Sequence, residues 1–125
     1  MKKTIYTSSA PEPVGPYSQA IQTDKYLYCS GQIAINPANN KYINSTIEEE
    51  TYQVVKNIEA VLSKAGYTFE NVIKTTCFLS DMNNFSKFNE IYSKYFTSSP
   101  ARSCVEAKLP KGAQVEIEVI AYKED

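Results

Sequence analysis

The sequence predicts an α+β fold, with a mixed six-stranded sheet and two helices on one face. Three observations predict it. Two segments carry apolar residues at helical spacing, a β-branched segment separates them, and short extended segments bounded by turn residues lie before and after. The resulting order is β-β-β-α-β-α-β-β. A chain of 125 residues can bury one core, so we expect a single domain over residues 1–125.

The first elements are strands. An edge strand is predicted near residues 3–6, and residues 17–22 and 26–34 form a hairpin that turns at Thr23-Asp24-Lys25. The segments 8–16 and 36–44 are rich in proline, asparagine and serine and are predicted to be loops.

A helix follows from Ile47 to about Ala65, with residues 45–48 as its capping box and Gly66 as its end. Residues 72–80 are β-branched and apolar, which is typical of a strand. Asp81 can cap the second helix, which stops at Ser98-Ser99-Pro100. The inner stripe of that helix comprises Met82, Phe85, Phe88, Ile91, Tyr92 and Tyr95.

The last two strands are predicted at residues 101–108 and 114–123, joined by a turn at residues 109–112. In the final strand Val115 and alternate residues point to one side, whereas Glu116, Ile120 and Tyr122 point to the other. Since that second face also carries apolar residues, we expect other subunits to cover it.

Composition excludes several classes of chemistry. The chain has no histidine, which excludes histidine-based nucleophile systems and the commonest metal ligand. Its three cysteines are far apart, without a C-x-x-C pair, so neither a metal site nor a disulfide framework is expected. A net charge of −1 without a basic stripe predicts no nucleic-acid partner. No signal sequence or membrane span is recognisable, and a cytoplasmic location without membrane association is expected.

The only arginine, Arg102, stands against twelve lysines. It shares one side of its strand with Cys104 and Glu106, at about 6–7 Å per two-residue step. A guanidinium can hold a carboxylate through two parallel hydrogen bonds, which lysine cannot do. An ordinary ion pair with Glu106, Glu116 or Glu118 is the other interpretation.

Other candidate residues carry weaker signals. Glu116 could act as a general acid or base, although alternating glutamates also mark a solvated strand face. Cys104 could be a nucleophile, although a buried structural thiol explains it as well. Tyr17 follows a rigid turn, and Ser30-Gly31 interrupts a strand where a ligand could approach; packing and a bulge are the alternatives. Asn89, in the second helix, is either exposed or specifically hydrogen-bonded.

Together these segments resemble the Rid (YjgF) family of enamine and imine deaminases. The resemblance covers essentially the whole chain. The motifs are Gly-Pro-Tyr-Ser-Gln-Ala (15–20), Ser-Gly-Gln-Ile (30–33), Asn-Phe-Ser-Lys-Phe-Asn-Glu-Ile-Tyr (84–92), Pro-Ala-Arg-Ser-Cys-Val-Glu (100–106) and Leu-Pro-Lys-Gly-Ala-Gln-Val-Glu-Ile-Glu (109–118).

The resemblance implies a homotrimer like the trimeric chorismate mutases, in which three sheets line a central barrel and the sites lie between subunits. It implies hydrolysis of 2-aminoacrylate, 2-iminopropanoate and 2-iminobutanoate to 2-oxo acids and ammonia, without a cofactor.

The resemblance implies that residues from both halves of the sequence bind the substrate and carry out catalysis. Arg102 would clamp the substrate carboxylate. Glu116, or one strand step further Glu118, would position the attacking water together with Cys104. Tyr17 would close the site from a neighbouring subunit. Pocket-shaping and hydrogen-bonding roles fall to Ser30, Gly31 and Asn89.

Three other functions are weighed against this one. The same pocket could belong to a non-catalytic sensor of 2-oxo or other small carboxylic acids. Relatives have also been described as ribonucleases or translation inhibitors, but the slightly acidic charge and missing histidines speak against phosphodiester chemistry. A chorismate mutase should offer more than one cation for a dicarboxylate, and this chain has one arginine.

Overall fold

A computed structural model describes residues 1–124 of the chain. It contains eight strands and two α-helices within that range. In chain order they are β1 (Lys2–Ile5), β2 (Ala20–Thr23), β3 (Tyr26–Cys29), β4 (Ile35–Asn36), β5 (Lys41–Tyr42), α1 (Ile47–Lys64), β6 (Val72–Leu79), α2 (Phe85–Tyr95), β7 (Ala101–Glu106) and β8 (Val115–Tyr122).

The main sheet has six strands in the order β1-β2-β3-β8-β6-β7. The β6 and β7 pair is parallel, whereas the other neighbours are antiparallel. Helix α1 contacts α2 and β8, so both helices lie on one face. The predicted α+β class and mixed six-stranded sheet are confirmed, and strand β7 forms one edge of the sheet.

The pairing register of the strands shows which side chains share a face of the main sheet. Cys104 pairs with Cys77, which pairs with Ile117, and both of these partners are fully buried against the helices. The next row joins Val105, Phe78 and Glu116 on the far face, because neighbouring residues along a strand point to opposite sides. Arg102 and Cys104 therefore share the helix-covered face, and Glu116 lies on the other.

The hairpin differs from the sequence prediction in length. Strand β2 begins at Ala20 rather than Tyr17, and β3 ends at Cys29 rather than Ala34. After Cys29 the chain leaves the ladder, and Gln32 makes a single bridge to Ile117. The apolar composition of residues 30–34 predicted a continuing strand, but the Ser30-Gly31 interruption is a true exit from the sheet.

Two further details correct the sequence prediction. The segment predicted as a loop at residues 36–44 contributes to the small β4-β5 hairpin. Helix α1 is capped by Thr46, whose hydroxyl accepts from the Glu49 backbone N–H at 3.1 Å. The predicted box over residues 45–48 was therefore one residue early, and the Glu49 carboxylate instead bonds the Ser45 hydroxyl.

Helix α2 has a two-stage start. Asp81 caps a single 3-10 turn at Met82–Asn84 by accepting from the Asn83 backbone N–H at 2.9 Å. The α-helix itself begins at Phe85. Asp81 is thus confirmed as a cap, although of the short turn that leads into α2.

A fully buried carboxylate connects three segments near β8. Glu50 in α1 accepts from the Tyr42 hydroxyl at 2.6 Å and from the Ser45 backbone N–H at 3.3 Å. It also accepts from the Gln114 backbone and side-chain N–H groups at 3.1 and 2.8 Å. The network satisfies the buried carboxylate and fixes the start of β8, two residues before Glu116.

Replacing Glu50 by alanine is expected to lower the free energy of unfolding by about 3 kcal/mol or more, because several partly buried donors lose their acceptor. Chemical denaturation measures the change. Glu59→Ala, which removes the same group from an exposed position of α1, should change it by less than about 0.5 kcal/mol. Equal midpoints for the two variants would contradict the structural role of Glu50.

Within residues 1–124 no helix combines the length and apolar character needed to cross a membrane.

Candidate active site

Arg102 lies exposed on β7, at the edge of the sheet beside α2. Its Nη1 donates a hydrogen bond to Asn89 Oδ1 at 2.7 Å. The guanidinium carbon lies 4.7 Å from the centroid of the Tyr92 ring and 5.4 Å from that of Phe85. Because aromatic faces attract cations, these contacts hold the guanidinium in place. Asn89 occupies only one of the five N–H donors of the guanidinium.

The Tyr92 ring under Arg102 is itself fixed. Its hydroxyl shares a 2.7 Å hydrogen bond with the Thr75 hydroxyl inside the core. Residues from the end of α2 and the following loop complete a shallow cavity of about 430 Å³ beside the guanidinium. That cavity is lined by Asn89, Tyr92, Ser93, Phe96, Thr97, Ser99, Pro100 and Arg102.

The ion-pair interpretation of Arg102 finds little support within one chain. Glu106, on the same strand face, accepts a hydrogen bond from the Met82 backbone N–H at 2.9 Å. Glu116 and Glu118 lie on the opposite face of the sheet. The remaining donors of Arg102 are therefore available for an anionic ligand.

Cys104 lies next to Arg102 on the same face and is half-buried. Burial raises the pKa of its thiol, and the positive charge of Arg102 offsets only part of that increase. Since the thiolate is the nucleophilic form, the nucleophile interpretation is disfavoured. Burial also raises the pKa of Cys29 and of Cys77 to about 12, so neither is a better candidate for a nucleophile.

A second cavity, of about 510 Å³, lies on the other side of the sheet. Glu116 points into it from β8, with Glu118 beside it. Burial raises the pKa of the Glu116 carboxyl, and the negative charge of Glu118 raises it further. Such a carboxyl exchanges protons closer to neutral pH than an ordinary glutamate does, which suits a general acid or base.

Gly31 borders the Glu116 carboxylate closely. A β-carbon at position 31 would overlap the carboxylate oxygen and lie 2.9 Å from Glu116 Cδ. A larger residue would push the end of the Glu116 side chain aside, so glycine is the residue that lets this carboxylate lie against the backbone. The glycine at position 31 is therefore explained by its contact with Glu116 inside the cavity rather than by a bulge.

Tyr17 and Ser30 line the same cavity as Glu116. The Tyr17 side chain is 52% exposed, and its hydroxyl accepts from the Val14 backbone N–H at 3.4 Å. Ser30 donates its hydroxyl hydrogen to the Ser18 carbonyl at 2.6 Å.

The predicted site residues thus form two groups. Arg102, Cys104 and Asn89 lie together beside α2. Tyr17, Ser30, Gly31 and Glu116 lie together across the sheet. One chain does not bring the two groups into a single pocket.

The aromatic support of Arg102 carries no sequence signal of a site role. Tyr92 and Phe85 were expected in the inner stripe of α2, because their spacing is that of a core face. Nothing in the sequence marks which core aromatic will lie under an arginine from a later strand. Gln19 lies within the motif at residues 15–20, and its residue type alone does not predict a role for it.

Known proteins resemble this chain over nearly its whole length. The family model described as Endoribonuclease L-PSP matches residues 7–123. A RutC family protein of Pyrococcus horikoshii is 50% identical, covering 99% of this chain and 100% of its own length. A mouse protein named 2-iminobutanoate/2-iminopropanoate deaminase is 46% identical, covering 98% of this chain and 93% of its own.

Solved structures agree over the same range. A structure from Yersinia pestis, described as a protein of unknown function of the conserved Rid protein family, has a TM-score of 0.94 and 52% identity, covering 98% of this chain and 100% of its own. The E. coli protein TdcF, solved with bound serine, has a TM-score of 0.93 and 34% identity, covering 98% of this chain and 99% of its own. These matches show that the chain belongs to the Rid (YjgF) family, the family that its sequence motifs resemble.

Proposed function

We propose that this protein is a hydrolytic deaminase that converts 2-aminoacrylate, 2-iminopropanoate and 2-iminobutanoate to 2-oxo acids and ammonia. The observation that carries the proposal is Arg102. Its guanidinium is held by Asn89 and by the Tyr92 ring, and its free donors border a cavity. The mouse relative named as such a deaminase supports the choice of reaction.

Arg102 binds the carboxylate that all these substrates share. Two parallel N–H···O bonds orient the substrate, so that its imine carbon has a fixed place relative to the protein. Asn89 and Tyr92 act before binding, because they reduce the number of conformations that the long arginine side chain can adopt. The bound serine of the related TdcF structure is likewise a small molecule with a carboxylate.

Glu116 supplies the proton transfers. As a carboxylate it accepts a proton from water while the water oxygen bonds to the carbon of the protonated imine, which gives a neutral carbinolamine. The Glu116 carboxyl then returns this proton to the amine nitrogen; the hydroxyl proton passes to the carboxylate, the C=O bond forms, and the C–N bond breaks to release ammonia. A protonated imine is already electrophilic, so this chemistry needs orientation, a held water and proton transfer. Cys104, as a neutral thiol, helps to hold the water.

The complete site lies between subunits of a homotrimer. Arg102 and Glu116 face opposite sides of one sheet, so a second copy must supply one of them. The far face is suited to such contact, because Tyr28 and Val105 on it are 46% and 47% exposed and the buried core lies on the other side. Burying these groups between copies would provide hydrophobic stabilisation.

Mixing two inactive variants tests the shared site. Arg102→Ala and Glu116→Gln subunits, unfolded together and refolded at equal amounts, should regain about a quarter of the wild-type activity, since one interface in four then receives both intact residues. Each variant refolded alone is the control. Light scattering should give about three times the chain mass of 14.1 kDa. Absence of complementation in a confirmed trimer would contradict a site that one subunit builds with Arg102 and another with Glu116.

The activity itself is tested with imine generated in place. A serine or threonine dehydratase produces the 2-imino acid, semicarbazide traps what remains free, and the 2-oxo acid is followed over time. Faster 2-oxo acid release with a smaller trapped fraction is expected. Ligand-induced thermal stabilisation without any acceleration would instead identify a binding protein for small carboxylic acids.

A ribonuclease activity has less support from this chain. The description of the matching family model includes an endoribonuclease, but the chain has a net charge of −1 and no histidine. RNA binding depends strongly on the neutralisation of phosphates by cations. We therefore expect no RNA binding even at low salt.

A further inference from the structure

The segment that carries Tyr17 has no regular structure. Residues 6–19 connect β1 to β2 without a helix or a strand, although Ile5 and Ala20 are paired in the sheet. Tyr17 lies near the end of this segment, with more than half of its side chain exposed. A segment of this length would sample many conformations unless specific contacts fixed it.

Gln19 provides contacts to the first half of the segment. Its side chain is only 2% exposed. Oε1 accepts from the Thr7 backbone N–H at 2.7 Å, and Nε2 donates to the carbonyls of Thr7 at 3.0 Å and of Pro11 at 2.9 Å. One buried amide thus replaces the sheet partners that Thr7 and Pro11 lack, and it ties them to the base of β2.

Ser30 provides contacts to the second half. Its hydroxyl donates to the Ser18 carbonyl at 2.6 Å, and its backbone N–H donates to the Gln19 carbonyl at 2.9 Å. These bonds fix the backbone directly after Tyr17. Because a hydroxyl has a single hydrogen to donate, Ser30 has none left for a substrate carboxylate.

We propose that Gln19 and Ser30 are positioning residues, which together clamp the 6–19 segment and hold Tyr17 at the mouth of the Glu116 cavity. The proposal rests on the proposed function in one respect, namely that Tyr17 closes the substrate site. It changes the role expected for Ser30 from substrate binding to the support of Tyr17. The clamp is already formed without a ligand, so substrate entry does not have to order this segment.

A double-mutant cycle with Tyr17 tests the clamp. Gln19→Met keeps the length of the side chain and removes its hydrogen bonds. We expect it to lower kcat/KM about tenfold, since small displacements of a closing residue are costly. In a Tyr17→Ala background the same change should alter kcat/KM less than about twofold, because Gln19 then has nothing to position. An equal loss in both backgrounds would overturn the proposal.

Amide hydrogen exchange provides a readout that does not depend on activity. Gln19→Met and Ser30→Ala should each accelerate exchange at residues 8–17 by about tenfold or more, while α1 and β8 remain unchanged. The control is Gln53→Met, a substitution of the same kind in α1. The Gln53 side chain donates a hydrogen bond to Asn57 Oδ1, in the same helix and away from residues 6–19. Unchanged exchange at residues 8–17 would overturn the clamp even in an active enzyme.

The two readouts separate the clamp from the enzyme proposal. If wild-type protein does not hydrolyse imines, the exchange experiment still decides whether Gln19 and Ser30 order the segment. If Gln19→Met does not fold, Ser30→Ala carries both measurements, because it removes one hydroxyl from a half-buried position. Accelerated exchange across the whole chain would overturn a local role for either residue.

Discussion

Replacing Arg102 by alanine is expected to lower kcat/KM for imine hydrolysis by about a thousandfold. The change removes two charge-assisted hydrogen bonds and leaves the substrate carboxylate without a counter-charge, a loss of about 4 kcal/mol. Steady-state kinetics with imine generated by a dehydratase measures the effect. Thermal stability should change little, because Arg102 is exposed and, within residues 1–124, makes one hydrogen bond, to Asn89.

Two further variants distinguish geometry from charge. Arg102→Lys keeps the positive charge but cannot form the planar pair of hydrogen bonds, so we expect a loss of at least about tenfold. Lys108→Ala removes an exposed positive charge shortly after β7 and should have no effect on kcat/KM. Full activity in Arg102→Ala, or equal losses in Arg102→Ala and Lys108→Ala, would contradict the role of Arg102 as carboxylate clamp.

Much of the fold was accessible from the sequence because its elements carry strong local signals. The periodicity of residues 47–65 predicted α1 to within one residue at its end. The β-branched segment that became β6 was equally clear. Predictions failed where a local signal is ambiguous. Two neighbouring hydroxyl residues, Ser45 and Thr46, can both cap α1, and only the direction of the incoming chain decides between them.

The far face of the sheet was predicted from alternation alone. Ile120 and Tyr122 do lie opposite the core row of β8, since their neighbours Val119 and Ala121 are buried. Neither strand by itself predicts that the side chains of Arg102 and Glu116 lie on different faces of the sheet. It depends on the register between β6 and its two neighbours, which joins positions far apart in the chain.

The candidate site residues were predicted from the resemblance, whereas the groups that support them were not. Arg102 could be selected from composition and motif, whereas the ring of Tyr92 beneath it depends on how α2 packs across the edge of the sheet. Ser30 illustrates the same limit. Its motif marked it as important, but the partner of its hydroxyl, the Ser18 carbonyl, depends on the path of an irregular segment.

Glu116 is expected to determine the acid limb of the pH profile of kcat/KM, which reports ionisations of the free enzyme. Only the carboxylate can accept a proton from water, so activity falls as the pH drops through its pKa. Burial and the charge of Glu118 both raise that pKa, which places the loss of activity at a higher pH than for an ordinary glutamate. Glu116→Gln should lower kcat/KM by about a hundredfold or more and abolish this limb.

Glu118→Gln separates the two neighbouring acids. It removes one negative charge that favours protonation of Glu116, so the pKa of Glu116 falls and the acid limb moves to lower pH, with kcat/KM near neutral pH preserved. The direction of this pKa shift does not depend on a subunit partner, because a guanidinium from a neighbouring subunit would act on Glu116 equally in the wild type and in Glu118→Gln. A profile that loses its acid limb in Glu118→Gln and keeps it in Glu116→Gln would instead make Glu118 the acid that holds the water.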